Sequence, residues 1–208
     1  MITTAEQLRA IYAQPAERAL RKQLDHLDAY CQRIIALSPF CVIATAGEGG
    51  ALLDASPRGG PRGFVKCADA HRLLLPDAGG NNRLDSLTNL LRDPRIAMLF
   101  FVPGVDETLR VNGTARLRDE PEFIGQFEGE RQLPKLVIEV QVSEAYLHCA
   151  KALMRSKLWS ADAQIERSEL PTLNQIIHAQ MGSMTAPESQ DDMVRRYRQQ
   201  IVDEQGAS

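Results

Sequence analysis

The sequence predicts a small, mainly β barrel of the α+β class with helical extensions at both ends. Two observations predict it. Between residues 40 and 142 the chain carries six or so short β-rich segments with few helices between them, which suits a barrel better than a doubly wound parallel sheet. Outside that region the pattern turns helical, over residues 4–37 and again in the polar tail beyond Trp159. The expected division is a helical extension over 1–38, a barrel domain over 39–158 and a helical tail over 159–208 that packs on the barrel or on a partner subunit. No internal repeat or low-complexity tract interrupts it.

The elements follow in order. Thr4 with Gln7 offers a capping box, and Leu8, Ile11 and Tyr12 form a narrow apolar stripe. Pro15 suits the first turn of a second helix, with Ala19 and Leu20 inward. Leu24, Leu27, Tyr30, Cys31, Ile34 and Ile35 recur at spacings of three and four, and Ser38-Pro39 ends that helix. Phe40–Ala46 and 51–56 read as a hairpin around the Gly47–Gly50 turn. Residues 57–63 are too rich in Gly and Pro for regular structure. Phe64–Cys67 and Arg72–Leu75 are short strands. Arg83–Arg92 is helical, with Leu84, Leu87, Leu90 and Leu91 on one face and Asn82 as its N-cap, and Asp93-Pro94 stops it. Ile96–Val102 is apolar without a break, as in a strand buried on both faces, and Thr108–Leu117 alternates. A short helix at Pro121–Phe127, a strand at Lys135–Val142 and a helix over Glu144–Leu158 come next. Helices at Leu173–Ala179 and Asp191–Val202 complete the tail.

Composition narrows the function. Apolar residues make up 44% and charged residues 25%, the balance of an ordinary soluble protein. A formal net charge of −3 gives no general basic surface, so nucleic acid is not expected as a partner. No apolar run approaches a membrane span, and the first residues lack the plan of a signal peptide. Cys31, Cys41, Cys67 and Cys149 lie far apart, which predicts reduced, mostly packed thiols in a cytoplasmic protein. Gly47-Glu48-Gly49 lacks the third glycine and the following helix of a dinucleotide fingerprint. His26, His71, His148 and His178 have no partner at metal-ligand spacing, so no metal site is expected. What residues 79–117 offer instead is Arg83 and polar side chains at a helix start. Unpaired N–H groups and the helix dipole favour an anion such as phosphate there. An acid in the first turn, Asp85, opposes that reading, and Arg83 would then only neutralise it. Lys151 and Arg155, four apart on a helix, would face one anion or form a solvated basic face.

Four segments together resemble a known family: Asp54-Ala-Ser-Pro-Arg-Gly59, Pro76 to Ser86, Asp93-Pro94-Arg95, and Glu107-Thr-Leu-Arg-Val-Asn-Gly113. With His148-Cys-Ala-Lys-Ala-Leu-Met-Arg-Ser-Lys-Leu-Trp159 they resemble the pyridoxamine 5′-phosphate oxidase-related, FMN-binding split-barrel proteins over about residues 38–160. The resemblance implies a six-stranded split barrel and a homodimer with two FMN molecules at the subunit interface. It implies that Arg83 and Ser86 meet the FMN phosphate, helped by Asn81 or Asn82, with Ser56, Pro57 and Arg58 along the flavin. It places Thr108 and Arg110 near the ring, and Lys151, Arg155 and Trp159 as contributions of the second subunit, with Trp159 able to stack on the ring. The tail lacks the Arg/His-bearing segment with which true pyridoxamine phosphate oxidases grip their substrate. The expected function is therefore that of an FMN-dependent oxidoreductase acting on an unidentified small molecule. A flavin carrier without turnover, and a split-barrel protein binding haem or another cofactor, for which His148 is the one histidine near the site, are the alternatives.

Overall fold

The computed structural model describes residues 1–208 except 48, 50, 51, 78, 131, 132, 183–186, 207, 208 and the side chains of 203–206. The turn expected at Gly47–Gly50 therefore falls partly outside the described residues. Strands β1 (Phe40–Ala46), β2 (Leu53–Gly59), β3 (Lys66–Asp69), β4 (Arg72–Pro76), β5 (Arg95–Phe101), β6 (Thr108–Arg118) and β7 (Val137–His148) form one sheet in the order β2-β1-β5-β6-β7-β4-β3. Every pairing is antiparallel. The described residues thus hold a strand for each of the seven segments read from the sequence, one more than the six that the resemblance implies, the four-residue β3 making an outer edge. One core cluster draws Cys41 and Ile43 from β1, Leu73 and Leu75 from β4, and Met98, Val111 and Val140 from the strands between. The sheet curls around that cluster as in a split barrel.

Helix α3 (Ala29–Leu37) closes one side of the core with Cys31 and Ile35, and Leu27 lies just before it. Its N-cap is Asp28, whose carboxylate accepts from the Cys31 N–H at 2.8 Å. Leu24, expected inside this helix, instead bridges to Ala145 through two backbone hydrogen bonds of 2.9 and 2.8 Å. Helices α1 (Ala5–Ile11) and α2 (Glu17–Arg21) bury nothing, and Leu8, Ile11, Tyr12 and Leu20 are exposed. Their apolar residues find no cover among the described residues. Thr4 caps α1 as expected, while Gln7 reaches the Thr3 N–H rather than closing a box on Thr4.

Other expectations shift for physical reasons. β2 runs through Pro57 to Gly59, where an irregular loop was expected. A proline is tolerated there because β2 pairs only with β1 and stands at the sheet edge. β5 is buried on one face only: Ile96, Met98 and Phe100 point into the core, while Ala97, Leu99 and Phe101 are half-buried on a face that the described residues leave partly open. β7 continues to His148, so the helix expected from Glu144 shrinks to α6 (Lys151–Ser156). Pairing with β6 and the Leu24 bridge hold residues 144–148 extended. The tail carries α7 (Leu173–Met181) and α8 (Gln190–Gly206), with α5 (Pro121–Ile124) earlier, between β6 and β7.

Candidate functional site

The register of the sheet sorts the site residues by face. Asp54, Ser56 and Arg58 stand opposite Thr45, Ile43 and Cys41, on the side facing the core. Pro57 points the other way and begins a row across the outer face: Pro57, Val42, Leu99, Arg110, Tyr146. Helix α4 (Asp85–Arg92) lies against the core-side edge of β2, and Ser86 in its first turn is buried. There the side chains converge. Ser86 Oγ donates to Asp54 Oδ2 at 2.6 Å and lies 3.1 Å from Ser56 Oγ, which itself donates to Asp54 Oδ2 at 2.9 Å. The Arg58 guanidinium donates to Ser86 Oγ at 3.3 Å and to the Pro57 carbonyl at 2.9 Å. One turn on, Asn89 donates to Thr45 Oγ1 and fastens α4 to β1.

The segment before α4 is shaped by two left-handed residues, Asn82 and Leu84, each at φ 58°. Leu84 therefore occupies the cap position and offers no side-chain bond, so Asn82 is not the N-cap. The helix starts at Asp85, and Leu84 and Leu91 are exposed while Leu90 is buried. Asn81 Oδ1 accepts from the Arg83 N–H at 3.0 Å. Arg83 itself is exposed and pairs with Asp85 at 2.8 Å, which raises its pKa through the hydrogen bond and the charge of that carboxylate. Burial lifts the Asp77 carboxyl above its ordinary range, against the opposing pull of Arg58.

Ser56, Arg58 and Ser86 are thus brought together. Thr108 and Arg110 are not among them. They lie on β6, three strands from β2 and on the outer face. Arg110 donates to Glu144 Oε1 at 2.6 Å and stacks on Tyr146 at 4.3 Å. Asn112 donates to the same Glu144 oxygen at 2.6 Å, and Gln23 to the other at 2.6 Å. Lys22 donates to the Leu147 carbonyl at 2.6 Å. His148 pairs with Thr108 in the ladder, and burial, then Arg110 and Lys22, hold its pKa below the ordinary imidazole value. Lys151 and Arg155 are exposed on α6. Trp159 Nε1 donates to the Val105 carbonyl at 2.9 Å, tying the end of α6 to the β5–β6 turn.

Sequence reasoning left Asp54 off the list of site residues. The signal was present: 54, 56 and 58 alternate as one face of a strand does, but Pro57 argued against a strand. Lys22, Gln23 and Glu144 were also missed, because only the Leu24–Ala145 bridge brings the first two to β7.

A family model of pyridoxamine 5′-phosphate oxidase matches residues 27–149. The chain belongs to the pyridoxamine 5′-phosphate oxidase family. No curated protein matches the sequence. Among solved structures, HupZ of Group A Streptococcus is 17% identical, covering 58% of this chain and 92% of that one, with a TM-score of 0.46. An FAD binding protein from Mycobacterium smegmatis is 13% identical over 60% of this chain and 97% of its own, at a TM-score of 0.43. General Stress Protein 26 from Bacillus anthracis is 12% identical over 55% and 88%, at 0.41.

The family implies a flavin, and the cradle tests the match. Two hydroxyls, a guanidinium and a helix start are donors of the type a phosphate takes. They fit the group in kind. The Asp54 carboxylate, which accepts from both hydroxyls, opposes it from within the cluster, and Asp85 in the first turn of α4 opposes it from the helix start.

Proposed function

We propose that this protein is an FMN-binding flavoprotein that works as a homodimeric oxidoreductase on a small molecule. The observation that carries the reading is the meeting of Ser56, Arg58 and Ser86 at the start of α4 in a chain of this family. Ser86 and Arg58 would hold the phosphate from below, with Asn81, Asn82 and Arg83 closing over it from the loop. Pro57, Thr108 and Arg110 would line the ring side on the outer face, and Lys151, Arg155 and Trp159 would reach it from the second subunit. Bound FMN would supply the redox chemistry, while these residues position it and set its surroundings. No helix of the described residues is long and apolar enough to cross a membrane. We place the protein in the cytoplasm, a reading supported by Cys31, Cys41, Cys67 and Cys149, which are all free thiols.

The absorption spectrum of the purified protein tests this, with the released cofactor identified and FMN compared with riboflavin. FMN is expected to bind more tightly, because only it carries the phosphate. Equal affinity would remove the phosphate site.

One observation favours the carrier reading. Arg110 already directs a hydrogen bond to Glu144 and lays its face on Tyr146, leaving less to offer a substrate. Stopped-flow reduction by NADH or NADPH, followed by reoxidation in air, separates the two. A flavin that neither donor reduces, reoxidised no faster than free FMN, identifies a carrier.

A further inference from the structure

We propose that Asp54 makes the cradle select a phosphate monoester that shares a proton with it, so that FMN binding takes up one proton near neutral pH. The inference rests on the phosphate reading above. It starts from a conflict in hydrogen-bond supply. A hydroxyl has one proton to give, and Ser86 and Ser56 both direct theirs to Asp54 Oδ2, at 2.6 and 2.9 Å. Their outward lone pairs accept and do not donate, and an ionised carboxylate accepts only. A phosphate dianion brought to Ser86 and Arg58 would set bare oxygens against Asp54 with no proton between them. One proton placed between the carboxylate and the phosphate turns that repulsion into an O–H···O⁻ hydrogen bond, a short and strong class.

The surrounding charges point the same way. Arg58 on β2 and Arg83 before α4 face three carboxylates: Asp54 on β2, Asp77 after β4, and Asp85 in the first turn of α4. Arg83 is already engaged by Asp85. The remaining Arg58 does not balance a dianion beside Asp54. A singly charged phosphate, or a dianion beside a protonated carboxyl, is the same total charge, and binding reaches it by drawing one proton from the buffer. A phosphate monoester loses its second proton with a pKa of about 6, so the cost of keeping that proton grows above this pH.

The test is the FMN dissociation constant, followed by flavin fluorescence quenching between pH 5.5 and 8. Riboflavin serves as the phosphate-free probe. For the unaltered protein the FMN constant is expected to rise about tenfold per pH unit above pH 6.5, while that for riboflavin stays level. Calorimetry in two buffers of different ionisation enthalpy should show uptake of about one proton at pH 7.5. Asp54→Asn removes the charge and turns one carboxylate oxygen into an amide N–H donor. It should flatten the pH profile and tighten FMN at pH 8, while Asp77→Asn leaves the slope in place. A level profile with no proton uptake, weaker FMN binding by D54N at pH 8, or a slope abolished by D77N alone would each overturn the proposal. If D54N lowers thermal stability without moving the slope, Asp54 is only a latch between β2 and α4, and the proposal falls. Failure of the phosphate reading looks different: FMN and riboflavin would then bind alike at every pH.

Discussion

Arg58 and Arg83 bring the same charge to the cradle from different surroundings. Arg58 is half-buried on β2 and touches Ser86, whereas the Arg83 side chain is 72% exposed and bound to Asp85. A hydrogen bond from a charged group contributes about 1.5–3 kcal/mol, so Arg58→Ala should weaken FMN binding by about ten- to a hundredfold. The exposed Arg83–Asp85 pair is screened by solvent, so Arg83→Ala should cost less than about fivefold. Fluorescence titration of the two variants decides the order, and a larger loss for Arg83 would place the phosphate in the loop rather than on the strand. A second residue sets acid behaviour. Arg95 donates to Asp93 from its side chain and its backbone N–H, and these bonds pull the Asp93 carboxyl down to about 2. A depressed carboxyl stabilises the fold above its unfolded pKa near 4 and loses that contribution as the pH falls through 2. Urea midpoints measured from pH 5 to pH 2 should therefore fall further for the unaltered protein than for Asp93→Asn.

At the scale of elements, the bulge in β7 decides what faces the outer row. Asn112 pairs with Glu144 but Gly113 pairs with Val142, so Ser143 is an extra residue. That one residue switches the alternation and brings Glu144, Tyr146 and His148 onto the face of Asn112, Arg110 and Thr108. Gly113 is needed there, since a Cβ would come within 2.0 Å of the Gln141 carbonyl oxygen. Gly113→Ala should cost at least about 1–3 kcal/mol in urea unfolding and loosen the Arg110–Glu144 contact. The apolar run Ile138, Val140 and Val142 does not announce this bulge, because the shift of register appears only in the pairing of β7 with the preceding strand β6. β6 was legible for the opposite reason, since its apolar alternation is written locally in Leu109 and Val111, whereas the unbroken apolar run of β5 announced a strand but hid that only Ile96, Met98 and Phe100 face the core. The site divides in the same way. Ser56, Arg58 and Ser86 could be named from the resemblance, whereas Asp54 entered only with the register of β2, and Lys22 only with the Leu24 bridge.

At the scale of the whole molecule, the sheet carries apolar surface that the described residues of one copy do not cover. Phe40, Val42, Ala44, Ala97, Leu99 and Phe101 are half-buried or exposed on the outer face of β1 and β5, and Leu53 on β2 is 79% exposed. The face runs straight into Arg110 and Tyr146, so whatever covers the apolar part also borders the residues assigned to the ring side. A patch of one chain that meets the same patch of another across a twofold axis is the common way to bury such a face. Light scattering should therefore show a dimer. Leu99→Glu sets a carboxylate in the middle of the face without entering the core, since Leu99 alternates with the buried Met98 and Phe100. The variant should keep its circular dichroism, become monomeric and bind FMN at least about tenfold more weakly, because each flavin would lose the residues of the second subunit. A monomer that holds FMN as tightly as the unaltered protein would show that the site is complete within one chain. Lys151, Arg155 and Trp159 would then have to act in their own subunit or not at all.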